Sequence, residues 1–289
     1  MALLNLVHLQ QPGKKRSSWE REYLGELLLP SHAETKKGSL AIVGLGPGRR
    51  EYITPRALRA IAHAEYVIGN ALYLDPLEPL LAGKHVIRSS MGKEVERAQQ
   101  AIDLARSHAV AIVSGGDAGV YGMAGIVLEV LEHSGARIDV EVIPGVTAAN
   151  AAASRAGSPL SGDFAVISLS DLLTPLGVIE QRLDAVFSVG IPLVLYNPKS
   201  RGRPHNLTVA ISHARRYLPA ETPVAIVRNA MRDDEEVIIT TLADMEKNEG
   251  AVDMHTTVII GGKESRIWRM GEDVKGIITP RGYHHKYVY

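Results

Sequence analysis

The sequence contains no cysteine, carries no net charge and has no apolar run long enough to cross a membrane. The absence of cysteine excludes disulfides, thiol nucleophiles and cysteine-ligated zinc or iron–sulfur sites. Basic and acidic residues number 32 each, so the overall charge gives no reason to expect nucleic acid or an acidic membrane as a partner. Residues 1–9 lack a basic leader and a small-residue cleavage site, and we therefore expect a cytoplasmic protein without a signal peptide.

The chain of 289 residues is long enough for one large or two medium domains, each with its own core. Residues 1–38 consist of polar stretches around a short apolar patch, and we expect a flexible appendage outside the main fold. The remainder predicts α/β domains over residues 39–158 and 159–270, followed by a tail over residues 271–289.

Strand-like and helical patterns alternate in the first of these domains. The strand-like runs are Ser39–Val43, Tyr66–Gly69, His85–Ile87, Val110–Val113 and Val140–Ile143. Helical patterns separate these runs, and the alternation predicts a largely parallel sheet covered by helices. In the second domain the pattern is more mixed, and the charged turn over residues 231–236 indicates that the two strands it joins are neighbours.

A glycine-rich stretch follows the run of apolar residues at 109–113. It contains five glycines, together with Asp117 and Tyr121, before a helical pattern resumes at Ile126. Glycine permits positive φ and lets a ligand approach bare backbone amides, and parallel sheets usually bind ligands at the carboxyl ends of their strands. The stretch therefore indicates a ligand-binding loop in which Asp117 accepts hydrogen bonds. A tight turn in which Asp117 caps a helix is the alternative.

The first glycine motif, Gly44–Gly48, does not match the fingerprint of a dinucleotide site. The third glycine of that fingerprint is replaced by Arg49, and Pro47 removes an amide that a diphosphate would need. The sequence also lacks the Gly-Lys-Ser/Thr phosphate loop. The glycine motifs therefore favour a ligand whose charge is not a phosphate.

Three motifs together resemble the tetrapyrrole (corrin/porphyrin) methylase family. They are Gly44–Gly48, Ser114–Gly122 and Ile143–Ala149, and the resemblance covers about residues 39–265. Ala118 departs from the family, which often has proline after the aspartate, and this changes loop stiffness more than chemistry. The resemblance implies a class III methyltransferase fold, with S-adenosylmethionine bound in a ligand cleft between two α/β domains. The residues that would line the cofactor pocket are Pro47, Gly116, Asp117, Val120, Tyr121, Thr147, Ala148, Tyr196, Asn197, Asn229, Ala230 and Thr257.

Further segments resemble a narrower group within this family, the precorrin-3B C17-methyltransferases of cobalamin biosynthesis. These segments are Leu193–Arg203, Arg228–Ala230, Glu236–Leu242 and Thr256–Gly261. The resemblance implies a homodimer that methylates C17 of precorrin-3B, or of its cobalt form, as the ring contracts. A methylase of another corrin carbon, a relative acting on RNA or a protein side chain, and a non-catalytic sensor of S-adenosylmethionine stay open. Zero net charge and the lack of a basic stripe weigh against RNA.

A macrocycle that carries several carboxylates requires basic side chains at its site. The predicted substrate-binding cluster is Lys199, Arg201, Arg203 and His205, and other strand ends are followed by Arg49, Arg50, Arg88 and Lys93. Ring contraction implies an acid or base, for which His205, Asp117 and Tyr121 are all conceivable, so no catalytic residue is assigned. The paired His284 and His285 lack a third ligand, so the sequence predicts no metal site, and any cobalt would arrive inside the substrate.

Overall fold

The computed structural model describes residues 38–288, so all but Gly38 of the predicted N-terminal appendage lies outside the described residues. Contacts between residues divide the chain into two compact units, Met1–Thr147 and Ala148–Tyr289. The sequence predicts this boundary later, after residue 158. The difference is the helix Ala148–Arg155, whose buried alanines pack with the sheet of the second unit. A run of alanines does not indicate which of two sheets it covers.

The first unit contains a five-stranded parallel sheet. Its strands are β1 (Ser39–Gly44), β2 (Tyr66–Asn70), β3 (His85–Ser89), β4 (Ala109–Ser114) and β5 (Asp139–Ile143), arranged in the order β3-β2-β4-β1-β5. Its helices are α1 (Pro55–His63), α2 (Ala71–Leu74), α3 (Glu78–Leu81), α4 (Glu94–Ala105) and α5 (Ala124–Ser134). The parallel sheet and the strands predicted for this part of the chain are confirmed.

The central strand β4 is buried along its whole length because helices cover both faces of the sheet. Val43 and Val113 pack on one face with residues of α1, α2 and α3. Ile42 and Ile112 pack on the other face with residues of α4 and α5. Successive residues of β1 and β4 therefore enter two separate apolar clusters, as the alternation of side chains along a strand requires.

The second unit contains a five-stranded mixed sheet and a three-stranded sheet. Its strands are β6 (Gly157–Ser158), β7 (Ala165–Ser168), β8 (Leu193–Tyr196), β9 (Pro223–Arg228), β10 (Glu236–Thr241), β11 (Thr256–Ile260), β12 (Arg266–Met270) and β13 (Asp273–Ile278). Its helices are α6 (Ala148–Arg155), α7 (Leu176–Val189), α8 (Asn206–Ala214) and α9 (Met245–Asn248). The larger sheet has the order β10-β9-β11-β8-β7, in which only β7 and β8 are parallel. The predicted turn at 231–236 joins the antiparallel neighbours β9 and β10.

The tail predicted over residues 271–289 is corrected in part, because this segment contains β13. This strand pairs antiparallel with β12 and parallel with β6, and its Ile277 is fully buried. Most of β12 and the first half of β13 are exposed, so the two strands show little of the apolar alternation that identifies a strand in a sequence. Across residues 38–288, no helix combines the length and apolar character needed to span a membrane.

Candidate functional site

The three glycine motifs meet at one edge of the sheet in the first unit. Because β4, β1 and β5 are parallel neighbours, the segments that follow their carboxyl ends leave the sheet side by side. Gly46 and Gly116 exchange two backbone hydrogen bonds of 2.9 and 2.8 Å, and the Leu45 N–H donates to the Ser114 carbonyl at 2.9 Å. The first two motifs are therefore joined through their backbones.

Several glycines at this edge are required because there is no room for a side chain. A Cβ on Gly145 would lie 2.3 Å from the Gly116 carbonyl oxygen, and one on Gly44 would lie 2.7 Å from the Gly145 nitrogen. Both distances are well inside van der Waals contact. Gly116 also has a φ of +65°, in the left-handed region that favours glycine. These glycines let three backbone segments pack against one another.

The carboxylate of Asp117 ties the second motif to the third. Its Oδ1 accepts a hydrogen bond from the Gly119 N–H at 2.7 Å, and its Oδ2 accepts one from the Gly145 N–H at 2.9 Å. The alternative that Asp117 caps the following helix is wrong, because α5 begins at Ala124 and has no side-chain cap. A carboxylate has about four lone-pair sites, so Asp117 keeps acceptor capacity for a ligand.

Val120 and Tyr121 present exposed side chains from the same loop. They are 38% and 59% exposed, and Tyr121 has a φ of +51°. The left-handed conformation costs a residue with a side chain about 1–2 kcal/mol, and such strain is concentrated at binding sites. Of the other residues predicted to bind the cofactor from this unit, Pro47 is buried and Thr147 is half-buried.

The cofactor residues predicted in the second unit lie at a single edge of its larger sheet, apart from Ala148 in α6. Strands β8 and β9 end at this edge and β11 begins there, because β11 pairs antiparallel with both of them. The residues at this edge are Tyr196, Asn197, Asn229, Ala230 and Thr257. The structure thus brings together residues that are far apart in the sequence.

Tyr196 connects this edge to the start of α6. Tyr196 is 9% exposed, and its hydroxyl accepts a hydrogen bond from the Ala149 N–H at 2.7 Å. That amide is in the first turn of the helix, where no backbone carbonyl of the helix is available. Ala148, the first residue of α6, is therefore held next to the end of β8.

Two asparagines at this edge adopt the left-handed conformation, each with a φ of +50°. The side-chain amide of Asn197 donates to Ser168 Oγ at 2.9 Å. Asn229 is 7% exposed, and its side-chain amide donates to Asp234 Oδ2 at 2.7 Å. Asparagine tolerates positive φ better than most residues. Its side chain fixes each turn by a specific hydrogen bond.

A charged pair secures the end of β9 to the start of β11. Arg228 Nε donates to Asp253 Oδ2 at 2.9 Å, while Asp253 Oδ1 accepts from the His255 N–H at 2.8 Å and from Thr256 Oγ1 at 3.0 Å. The hydrogen bond to Asp253 raises the pKa of Arg228. Burial acts to raise the pKa of Asp253, but these three donors outweigh burial and lower that pKa below its ordinary value.

The four predicted substrate-binding residues fall into two pairs. Lys199 Nζ lies 3.6 Å from the carboxylate of Glu249, and Arg203 Nε lies 3.8 Å from that of Asp171. Arg201 and His205 are exposed, and neither forms an ion pair with any residue between 38 and 288. All four basic residues at other strand ends, Arg49, Arg50, Arg88 and Lys93, are exposed, and Arg88 and Lys93 contact acidic side chains.

Sequence reasoning missed the acidic residues that shape the turn after β9. Glu235 Oε2 accepts from the Met231 N–H at 2.7 Å, and Asp234 accepts from Asn229. Met231 also has positive φ, +60°. The available signal was the run of four acids at 233–236, which begins four residues after Asn229. Such a run indicates a solvated turn, and it also supplies acceptors for a strained backbone.

Comparison with known proteins assigns this arrangement to a family. A family model described as Tetrapyrrole (Corrin/Porphyrin) Methylases matches residues 39–246. A cobalt-factor III methyltransferase from Priestia megaterium is 42% identical over 257 residues, which cover 87% of this chain and 46% of that protein. A precorrin-3B C(17)-methyltransferase from a Sinorhizobium species is 40% identical over 250 residues, which cover 85% of this chain and 97% of that protein. The chain thus spans about half the length of some curated relatives and nearly all of others.

Two solved structures share the fold. The crystal structure of the methyltransferase CobJ has a TM-score of 0.78 and 32% identity, and the match covers 84% of this chain and 100% of that one. A uroporphyrin-III C-methyl transferase from Thermus thermophilus, complexed with S-adenyl homocysteine, has a TM-score of 0.60 and 25% identity, with coverage of 78% and 97%. The predicted fold class, with two α/β units, is confirmed.

Proposed function

The chain belongs to the tetrapyrrole (corrin/porphyrin) methylases, and from this we propose that it is an S-adenosylmethionine-dependent C-methyltransferase of cobalamin biosynthesis. The acceptor is C17 of precorrin-3B or of its cobalt-containing counterpart, and methylation accompanies contraction of the ring. The observation that carries the proposal is the convergence of three family motifs at one sheet edge. The names of two relatives, one for cobalt-factor III and one for precorrin-3B C(17), support the acceptor.

The first unit fits S-adenosylmethionine in its chemistry. A related structure holds S-adenyl homocysteine, the form of this cofactor that has lost its methyl group. The exposed backbone at Gly119 and the exposed side chains of Val120 and Tyr121 suit an adenosine, while Asp117 has lone pairs left for a hydroxyl or ammonium donor. The proposed cofactor set stays that of the resemblance: Pro47, Gly116, Asp117, Val120, Tyr121, Thr147, Ala148, Tyr196, Asn197, Asn229, Ala230 and Thr257.

For the carboxylates of the macrocycle we propose two kinds of contact. Arg201 and His205 are exposed and unpaired within residues 38–288, so they are available without rearrangement. Lys199 and Arg203 would exchange the carboxylates of their protein partners for those of the substrate. A guanidinium binds a carboxylate through two parallel hydrogen bonds, which favours Arg201 over His205 as the stronger contact.

When bound, S-adenosylmethionine supplies a methyl group on a cationic sulfur, which an in-line displacement transfers as the carbon–sulfur electron pair returns to sulfur. This chain must hold the acceptor carbon in line and exclude water. The sheet edge at which Gly44, Gly116 and Gly145 meet, the glycine edge, suits that task because its backbone segments pack closely. We assign no side chain as an acid or base for the ring contraction.

Mass spectrometry of the tetrapyrrole tests the proposal. Purified protein is incubated with methyl-labelled S-adenosylmethionine and, separately, with precorrin-3B and its cobalt form. We expect one added methyl group on C17 and a contracted ring, and the form that reacts identifies the substrate. Transfer to another corrin carbon would replace C17 as the acceptor. Cofactor binding without transfer to any corrin intermediate would contradict the enzyme and favour a sensor.

We further propose a cytoplasmic homodimer, which the family resemblance supports. Sedimentation equilibrium should give twice the mass of the chain. A monomer at micromolar concentration would contradict this part of the proposal without affecting the reaction.

A further inference from the structure

The loop after β7 carries two adjacent leucines that are almost entirely exposed. Leu172 is 76% exposed and Leu173 is 93% exposed. A single exposed leucine on a protein surface needs no explanation, but adjacent apolar side chains with polar surroundings mark binding surfaces. These two residues therefore call for an account of what they contact.

The backbone that carries the leucines is anchored on both sides. The Leu169 N–H donates to the Tyr196 carbonyl at 2.8 Å, and the side-chain amide of Asn206 donates to the Leu169 carbonyl at 2.7 Å. On the other side, α7 begins at Leu176. Because the loop is fixed between a strand and a helix, the leucines project from a defined place.

That place is the sheet edge that already carries Asn197 and, after it, the loop over residues 199–205 with its basic side chains, which we call the basic loop. Strand β7 is parallel to β8, so both end at this edge, and Asn197 bonds to Ser168 at the end of β7. The leucine loop also contacts the basic loop directly, through Asp171 and Arg203 at 3.8 Å. Arg203 Nε is buried and has no hydrogen-bond partner among residues 38–288. The two exposed leucines therefore follow directly in sequence the aspartate that contacts Arg203.

We propose that Leu172 and Leu173 contact the apolar face of the corrinoid macrocycle while Arg201 and Arg203 bind carboxylates at its rim. The inference rests on the proposed function, since it names further residues for the same substrate. A large ring with apolar faces and a charged rim complements both halves of this surface. A purely apolar partner would leave the arginines unused, and a polyanion would leave the leucines unused.

The test uses the full chain with both leucines replaced, Leu172→Ser with Leu173→Ser. The matched control is Val189→Ser, which changes a residue that is 68% exposed at the far end of α7. We expect the double variant to bind precorrin-3B about tenfold more weakly and to raise KM by a similar factor, because two apolar contacts are lost. The value of kcat, the Kd for S-adenosylmethionine and the melting temperature should stay close to those of the wild type.

A conservative replacement provides a second control. The variant Leu172→Met with Leu173→Met keeps two apolar side chains and should bind the macrocycle as the wild type does. Unchanged macrocycle affinity in the serine variant would overturn the inference, and so would an equal loss of cofactor affinity. A serine variant that loses only self-association would show that the leucines contact a second copy instead. A wild-type protein that binds the cofactor but no macrocycle would overturn the proposed function itself, and that result is obtained without any variant.

Discussion

The glycine edge of the first unit and the Tyr196 edge of the second unit both contain strained turns, but they stabilise them differently. At the first edge, backbone packs on backbone, and Gly44 and Gly145 are required because a Cβ would collide. At the second edge, side chains bond to the turns, as Asn197 and Asn229 do. The first arrangement allows a single residue type. The second allows any side chain that can make the hydrogen bond and accept positive φ.

The largest effect is expected from Gly145→Ala. Its Cβ would lie 2.3 Å from a backbone oxygen, and neither segment can move without disturbing the sheet edge. We expect a loss of about 3 kcal/mol in the free energy of unfolding, at the upper end for overpacking, measured by urea denaturation. The matched control is Gly125→Ala in α5, where a Cβ meets nothing within 4 Å. That change should be neutral or stabilise the helix by up to about 1 kcal/mol. Equal stability of the two variants would show that the glycine edge is not tightly packed.

A smaller effect is expected from Asn229→Ala. This change removes the hydrogen bond to Asp234 and places alanine at a φ of +50°. The two losses together should cost about 2 kcal/mol of unfolding free energy. Asn229→Gly removes the same bond but accepts the same φ freely, so it should recover about half of the loss. If glycine and alanine are equally destabilising, the turn is held by the side chain alone.

The contrast between the edges also explains what could be read from the sequence. The glycine motifs can be recognised in the sequence because only glycine fits where backbone segments pack so closely. The parallel sheet can be predicted from the alternation of strand-like and helical patterns. Tyr196 and Asn229 look ordinary in the sequence, and only their resemblance to a family singles them out. The roles of Asp234 and Glu235, and the strand β13, depend on which segments come together in space, and no local pattern of residues specifies this.

Cofactor affinity should depend on Asp117, the carboxylate that joins two glycine motifs. Asp117→Asn replaces one of two acceptor oxygens with an amide donor, which would face the N–H of Gly119 or Gly145. We expect about tenfold weaker binding of S-adenosylmethionine by calorimetry, equivalent to about 1.4 kcal/mol. The control is Asp163→Asn, at an exposed residue of the second unit. Unchanged affinity in the Asp117 variant would show that this carboxylate holds the loop in place but does not contribute to cofactor binding.

The smallest effect is expected at the second edge, in its response to acid. The pKa of Asp253 is lowered in the folded protein because the donors around it outweigh burial. Its carboxylate therefore stabilises the fold at pH values above its ordinary pKa of 3.8, and this contribution is lost as the pH falls through the lower folded-state value. Asp253→Asn should lower the denaturant midpoint at pH 7, and the gap to the wild type should narrow below pH 3.8. Both partners are more than a third exposed, so solvent screening keeps the effect small. A gap that stays constant with pH would mean that Asp253 stabilises the second edge as a hydrogen-bond acceptor and not through its charge.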